Sequence, residues 1–155
     1  MKKLMYTPII FFALFTAACS NNEVIKSEPP IALIEINNKQ YETILGSYCW
    51  KTSKSSNICV DTAGPVEMLA GETPIEVKSG EVVRFVMHYE PKPTKIHVTQ
   101  IEGVKTSDVI LENNTFFAPM DKGIYYFSYG VWWMDKKNTN VSDGDAFYNF
   151  VLEVK

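Results

Sequence analysis

Cys19 is the residue of this sequence whose type and surroundings most directly indicate a chemical modification. It follows Lys2, Lys3, a short apolar run and a pair of alanines. Positive charge, an apolar segment of this kind and small residues before a cleavage point are the three parts of an export signal. The apolar run is shorter than the ~20 residues that a bilayer-crossing helix needs, so we predict that residues 1–18 are a removable signal peptide.

The residues LFTAAC at 14–19 resemble the lipobox of bacterial lipoproteins. In that family the cysteine receives a diacylglycerol group and becomes the new N-terminus, so the resemblance implies that Cys19 anchors the chain to a membrane. Thr16 stands where the family usually has an aliphatic residue. The alternative is plain secretion, with cleavage near Ala18 and no lipid.

Residues 19–30 are predicted to hold the lipid-attachment site and a tether, and residues 31–155 a single domain. The polar residues after Cys19 and the pair Pro29 and Pro30 are typical of a semi-extended spacer. The length that remains after cleavage fits one domain with a sizeable core.

The charge of the chain argues against nucleic acid as a partner. Its 15 Lys and Arg face 18 Asp and Glu, a net charge of −3, and loss of Lys2 and Lys3 with the signal makes the exported chain more negative. A negative surface repels phosphates and anionic headgroups. We therefore expect membrane attachment through the lipid at Cys19 and not through a basic patch.

Cys49 and Cys59 remain as an even pair in an exported chain, which predicts a disulfide bond. Both lie in segments typical of strands, and the residues between them are rich in Ser and Lys, as expected of a turn. A redox role would need a closer pair such as Cys-x-x-Cys, and a zinc site would need more ligands. We therefore expect a structural bond.

Short runs rich in β-branched and aromatic residues, separated by Gly, Pro and Asn, fill the chain beyond the tether and predict an all-β fold. Their spacing favours an antiparallel two-sheet sandwich of immunoglobulin-like type, with a closed barrel as the alternative. Only residues 65–70 suggest a helical turn, with a proline at its start. The predicted strands span 31–37, 40–45, 47–50, 57–60, 75–77, 81–89, 95–101, 108–111, 115–118, 124–134 and 146–154.

The last two predicted strands carry apolar residues at alternate positions throughout, and we expect both rows to face the core. Pairing Trp133 with Ala146 sets every core residue opposite another, which predicts Trp132 opposite Phe147 on the outer side. The two rows are Tyr125, Phe127, Tyr129, Val131 and Trp133, and Ala146, Tyr148, Phe150, Leu152 and Val154.

Three aromatic residues would then lie on the outward face of these strands: Tyr126, Trp132 and Phe147. Large aromatic side chains on a sheet surface, with small residues leaving a trough between them, suit a sugar ring, a peptide or a hydrophobic partner. The alternative is that a loop such as 104–108 covers them. Cross-strand aromatic pairs also stabilise sheets without any ligand.

His88 and His97 are the two histidines of the chain, on predicted strands joined by a short proline-containing turn. A symmetric turn would make them direct cross-strand partners with both imidazoles outward, within reach of a shared metal ion or proton. Glu90 lies on the same face as His88, but a firm metal site needs three or four ligands. The alternative is two surface histidines.

A second candidate metal site is the loop over residues 135–145, where several Asp and Asn side chains crowd together. Oxygen ligands at such density can hold Ca²⁺, although their spacing is not that of an EF-hand. Asp and Asn are also ordinary turn residues, which favours a hydrated hairpin loop. The sequence brings no nucleophile together with a base and an orienting group, so we expect no catalytic residues, no cofactor and no enzyme activity.

The segments GSYCW at 46–50, CVD at 59–61 and the aromatic run at 123–133 resemble those of small uncharacterised lipoproteins of Gram-positive, spore-forming bacteria. The late pattern Pro-x-x-x-Gly-x-Tyr, which ends at Tyr125, is shared by many immunoglobulin-like domains and supports the fold. The resemblance implies an anchor on the outer face of the plasma membrane and carries over no catalytic role.

These observations favour a membrane-anchored extracytoplasmic module that binds an envelope protein, peptide or glycan. The alternative is a metal-binding envelope protein that uses His88 and His97.

Replacing Cys19 with alanine should move the protein from the membrane fraction to the medium, or leave an uncleaved precursor, because the predicted attachment thiol is gone. Labelling with a fatty-acid analogue followed by cell fractionation measures both outcomes. Unchanged lipid labelling of Cys19→Ala would reject Cys19 as the attachment site.

Overall fold

The structure, a computed structural model, describes residues 28–53 and 55–155. The predicted signal peptide, Cys19 and most of the tether lie outside these residues. The described chain contains strands and one helical turn in the following order. Their bounds are β1 Ala32–Ile36, β2 Lys39–Glu42, β3 Ile44–Ser53, β4 Ser56–Val60, α1 Pro65–Met68, β5 Ile75–Val77, β6 Val82–Met87, β7 Lys95–Glu102, β8 Lys105–Val109, β9 Thr115–Phe117, β10 Gly123–Met134 and β11 Ser142–Val154.

The strands form two sheets. One has 4 strands in the order β2-β1-β6-β9, and the other has 7, with β4-β3-β11-β10-β7-β8 in order and β5 beside β11. Within the described chain, β5 is the strand that pairs in parallel, and the remaining pairings are antiparallel. The predicted all-β, antiparallel two-sheet sandwich of immunoglobulin-like type is confirmed.

The core lies between the sheets, and the inward side chains of β10 and β11 fill much of it. All residues of the two predicted apolar rows are buried, as are the inward residues of β1 and β6 that they face. The ring of Phe85 on β6 stacks on that of Tyr129 with centroids 3.9 Å apart. Full burial of a side chain such as Phe85 contributes about 1.5–3 kcal/mol. Burial also raises the pKa of the Tyr129 phenol to about 12, so this group stays neutral around pH 7.

Tyr125 holds the turn that precedes β10. Its hydroxyl donates a hydrogen bond to the carbonyl oxygen of Asp121, 3.0 Å away, and its ring lies over Gly123. A tyrosine that bonds back to the backbone a few residues upstream is typical of immunoglobulin-like sandwiches. The late Pro-x-x-x-Gly-x-Tyr pattern therefore has a physical role in this fold.

Tyr148 fastens the N-terminal end of the described chain to the core. Its hydroxyl donates a hydrogen bond to the carbonyl oxygen of Pro30, and both Pro29 and Pro30 are buried. These two prolines, which were expected in the spacer, therefore pack with the sandwich.

The predicted pairing of Trp133 with Ala146 is wrong by two residues, because Trp133 lies opposite Gly144. An apolar alternation repeats every two residues, so a slip of two keeps each side chain on its face and the pattern cannot detect it. Packing explains the observed register. The indole of Trp50 fills the space over Gly144, where a Cβ atom would lie 2.6 Å from Trp50 Cε3.

Several elements differ from their predicted bounds: β11 begins at Ser142 and not at 146, and the strand expected at 40–45 is divided between β2 and β3. The strand expected at 108–111 is β8, which begins at Lys105 because the turn at Gly103, with φ of 58°, returns the chain directly alongside β7. The strand expected at 47–50 is part of the longer β3, and the helical turn is limited to Pro65–Met68.

Cys49 of β3 and Cys59 of β4 form the predicted disulfide bond. They are direct partners in the antiparallel pair, with Cα atoms 4.0 Å apart. β4 is the last strand at this edge of the sheet, and all of its residues are exposed. Because β4 buries so little apolar surface, the covalent bond is a principal tie between this strand and the sheet.

Reducing the Cys49–Cys59 bond should lower the free energy of unfolding by about 2–3 kcal/mol, because the closed loop no longer restricts the unfolded chain. Thermal unfolding with and without reductant measures the loss. The double variant Cys49→Ser/Cys59→Ser should show the same lower Tm without reductant and no further change with it. An equal Tm for the oxidised and reduced protein would contradict this role.

Candidate functional site

The outer face of the seven-stranded sheet, which is the face turned away from the core, carries the predicted binding residues. Tyr126 and Trp132 lie on β10 and Phe147 lies on β11, each between two inward, buried neighbours. All three are partly buried. The structure thus places them on one face, as the alternation predicts.

Trp132 and Phe147 form an aromatic pair with ring centroids 5.5 Å apart and planes at 87°. The prediction that they are direct partners is wrong, because Trp132 lies opposite Asp145 and Phe147 opposite Gly130. The two rings meet over Gly130, where a Cβ atom would lie 2.8 Å from Phe147 Cε1 and 2.9 Å from Trp132 Cη2. The ammonium group of Lys95 lies 5.4 Å from the Trp132 ring centroid, a cation–π contact.

Tyr126 lies apart from this pair. Six positions separate it from Trp132 along β10, about 20 Å in an extended strand. Its register partners are Ile101 of β7 and Val151 of β11. The three aromatic residues therefore mark two ends of the outer face and do not form one cluster.

A polar row crosses the outer face between these ends. It consists of Thr99 of β7, Ser128 of β10 and Asn149 of β11, which are register partners on adjacent strands. Thr99 and Ser128 are partly buried, whereas Asn149 is only 2% exposed and is the buried polar residue of the described chain. Asn149 Nδ2 lies 3.5 Å from Met68 Sδ, a weak acceptor, and Asn149 Oδ1 has no hydrogen-bond partner.

Residues 61–73, which include α1, form a strap over one side of the polar row. Ser47 on β3 fixes its start, because the Ser47 hydroxyl donates to Asp61 Oδ1 at 2.9 Å and accepts from the Thr62 N–H at 3.0 Å. The middle of the strap is fixed by the burial of Leu69 and by the contact of Met68 with the Asn149 amide. The loop expected to cover this face, 104–108, instead lies mostly in the edge strand β8, and the strap is the cover.

The strap and the sheet border a shallow, open concavity of about 360 Å³. Phe147 lines one side of it, the polar row lines its base, and residues 62–65 of the strap line the other side. Ser and Thr residues of the sheet and the strap supply hydroxyl groups, and no lining residue is Lys, Arg, Asp, Glu or His. The concavity can therefore hydrogen-bond a ligand and pack against its apolar surface without selecting for charge.

The prediction that His88 and His97 are cross-strand partners is wrong. His88 follows β6 of the four-stranded sheet, whereas His97 lies in β7 of the seven-stranded sheet. Pro91 and Pro93 between them have no N–H to extend a ladder, and this segment crosses from one sheet to the other. His97 Nε2 lies 3.3 Å from Asp108 Oδ1. Residues 28–53 and 55–155 contain no group of three or more His, Cys, Asp or Glu that could hold a metal ion.

The predicted loop over 135–145 is shorter in the structure, because residues 142–145 belong to β11, and the acidic groups of this region have partners within the protein. Asp135 Oδ1 accepts backbone hydrogen bonds from Asn138 at 2.8 Å and Lys137 at 2.7 Å, and these bonds, with that from Asn138 the larger cause, lower the pKa of the Asp135 carboxyl. Asp143 forms an ion pair with Lys51. This hydrogen bonding is typical of a turn stabilised by an aspartate side chain.

A second concavity, of about 470 Å³, lies at the end of the sandwich where Trp50, Tyr89 and Trp133 meet. Trp50 and Trp133 are 4.9 Å apart with planes at 82°, and Trp133 Nε1 donates to the Pro91 carbonyl oxygen at 2.7 Å. The sequence predicts an inward Trp133, but it gives no signal for this cluster, which depends on how the two sheets meet. The rings contact one another and close this end of the core.

Comparison with known proteins found no matching family model, no similar curated protein and no similar solved structure. No helix in the described ranges is long and apolar enough to cross a bilayer. Function is therefore inferred from the chemistry of the outer face.

Gly130→Ala should push the Trp132 and Phe147 rings apart, because its methyl group would occupy the place where the ring edges now meet. Both rings are partly exposed and can move, so we expect a stability loss below about 1 kcal/mol, less than for overpacking a core. The nuclear Overhauser effect between the two rings measures their separation, and thermal unfolding measures the cost.

Gly64→Ala is the matched control, because a Cβ atom at Gly64 meets nothing within 4 Å. It should leave both the ring contact and the Tm unchanged. Rings that stay in contact in Gly130→Ala would show that another constraint sets their position.

Proposed function

We propose that this chain is a lipid-anchored extracytoplasmic lipoprotein domain that binds a ligand at the cell envelope through the outer face of its seven-stranded sheet. The observation that carries this proposal is the partly exposed Trp132–Phe147 pair beside the uncharged concavity beneath the strap. The anchor rests on the lipobox-like residues before Cys19, and the binding role rests on this surface.

Binding explains the outer face better than sheet stability alone. A strand pair gains stability from aromatic contacts wherever they occur, but here one ring of the pair, Phe147, lines a concavity whose base is polar. Ligand sites typically combine apolar walls with a few polar groups that fix orientation. Trp132 and Phe147 supply the apolar part, and Thr99, Ser128 and Asn149 supply the polar part.

A metal-binding role for His88 and His97 has less support. These residues lie in different sheets, and His97 already contacts Asp108. A firm metal site needs three or four ligands. We therefore assign the binding role to the aromatic and polar surface, and we propose no catalytic step there.

Trp132→Ala should weaken retention of the envelope ligand at least tenfold, because buried tryptophans at binding surfaces often contribute 2 kcal/mol or more. The mature chain, immobilised through its C-terminus, is incubated with envelope extract from the source cells, and the retained material is quantified. Metal content is measured on the same preparations.

Phe117→Ala is the matched control. Phe117 is 70% exposed on the four-stranded sheet, so its loss removes a more exposed aromatic side chain from another face. It should retain the ligand as the unaltered chain does, whereas Trp132→Ala also loses the contact with Phe147 and should have a slightly lower Tm. Equal retention by Trp132→Ala, or retention lost only when a bound metal is chelated, would refute the proposed surface.

A further inference from the structure

We infer that the concavity beneath the strap is a binding site for a neutral saccharide. This inference rests on the proposed function, because it assigns a ligand class to the same outer face. It is carried by the buried Asn149 amide oxygen, which has no hydrogen-bond partner, by the hydroxyl groups of Thr99 and Ser128 and by the absence of charge in the lining.

Asn149 has a buried side-chain amide whose hydrogen bonding is incomplete. Its side chain lies on the central strand β11, is 2% exposed and lines the concavity, yet its Oδ1 has no hydrogen-bond partner and its Nδ2 meets only the sulfur of Met68. A buried polar atom without a partner is costly, and such atoms are uncommon in folded proteins. Oδ1 is itself covered by neighbouring atoms, so a ligand that offers both donors and acceptors would complete this amide after the side chains around it shift. Hydroxyl groups do so, because each can donate and accept.

The polar row extends this preference across the sheet. Ser128 places a hydroxyl on β10, the strand next to Asn149, and Thr99 places one on β7, the strand beyond it, at intervals of about 4.8 Å. Ser47 of β3 and Thr62 of the strap also line the concavity, but their hydroxyls already donate to Asp61 Oδ1 and to the Ala63 carbonyl oxygen. The row is about 10 Å long, which suits one or two pyranose rings with several hydroxyls.

The aromatic wall accounts for the apolar part of the same ligand. Phe147 lines the concavity, and Trp132 packs edge-to-face against it. The C–H groups on the face of a pyranose ring carry partial positive charge and pack against the negative face of an aromatic ring. A saccharide therefore matches both the polar base and the aromatic side.

An extended peptide fits this site less well. Peptides are often recognised by adding a strand to an unpaired sheet edge. Here the concavity lies over β7, β10 and β11, each of which is paired on both sides. No strand at the base of the site offers free backbone groups to a peptide. An anionic or cationic ligand would also leave its charge without a partner, since the lining carries none.

Titration of the mature chain with neutral trisaccharides of glucose, galactose, mannose and N-acetylglucosamine tests the inference, followed by saturation-transfer NMR and calorimetry. The protein is kept in a zwitterionic detergent without a sugar headgroup. At least one trisaccharide should bind with Kd below about 1 mM. A trisaccharide of galacturonic acid should bind at least tenfold more weakly. Failure of every neutral trisaccharide, or tighter binding of the acidic one, would overturn the inference.

Two substitutions locate the site. Thr99→Val and Ser128→Ala each remove a lining hydroxyl with little change in shape, and each should weaken trisaccharide binding at least fivefold. Thr106→Val is the matched control, because Thr106 is exposed on β8 and does not line the concavity. Equal losses in all three variants, or no loss in any, would place the saccharide elsewhere.

Asn149→Leu tests whether the Asn149 amide binds the ligand or stabilises the fold. Leucine has nearly the same shape and leaves no unpartnered polar atom, so if the amide serves the ligand, the variant should have a higher Tm and lose trisaccharide binding. A lower Tm would show that Asn149 is satisfied by buried water and stabilises the fold, which would overturn its assignment to the ligand.

The saccharide inference and the proposed function can be refuted by different results. If no trisaccharide binds but envelope material is still retained in a Trp132-dependent manner, the outer face binds another class of ligand, such as a protein, and only the saccharide inference is lost. If retention is independent of Trp132, the proposed function is lost as well.

Discussion

The pairing of β10 with β11 is the constraint on which the rest of the structure depends. The two strands run side by side from Gly123 to Met134 and from Ser142 to Val154. Their inward side chains fill the centre of the core, and their outward side chains form the middle of the outer face. A slip of one residue would exchange the two sets, so the burial of the inward aromatic rings also holds Trp132, Phe147 and Asn149 in place. The candidate site thus takes its rigidity from the core beneath it.

Glycines set the detailed shape of this pair where neighbouring groups come closest. The Trp50 ring lies over Gly144 on the core side, and the Asn149 amide lies over Gly46 on the outer side, where a Cβ atom would be 2.6 Å from Asn149 Nδ2. An added methyl group at either position would require ring or backbone movement. The fit of Trp50 over Gly144 accounts for the register, and the fit of Asn149 over Gly46 helps to hold the amide at the base of the concavity.

The features that follow from residue alternation and composition could be predicted from the sequence. Features that depend on contacts between segments distant in sequence could not. Inward and outward residues of β10 and β11 were predicted correctly, as were the sandwich and the disulfide between Cys49 and Cys59. The two-residue error in register arose because Trp50, which fills the space over Gly144, lies far away in sequence. The pairing of His88 with His97 failed because neighbouring strands in sequence entered different sheets. The strap was missed because residues 61–73 show no strand pattern, and the helical turn predicted at 65–70 does not by itself indicate that the segment folds over Asn149.

At Asn149, a polar side chain that lines the candidate site lowers the stability of the fold. Leaving its amide oxygen without a partner costs about 1–3 kcal/mol, a substantial part of a typical stability of 5–15 kcal/mol. The burial of neighbouring side chains on β11 can offset this loss of stability. Tyr148, Phe150 and Leu152 are almost completely buried. An amide that bonds only to a buried water molecule would need neither neighbouring hydroxyl groups nor a concavity open to solvent. Here the row of hydroxyls continues from Asn149 toward β7, and the strap residues Ala63 and Gly64 that border the concavity are exposed. The proposed saccharide would offset this cost by bonding to the amide from outside, and the stable core allows the protein to tolerate the cost when no ligand is bound.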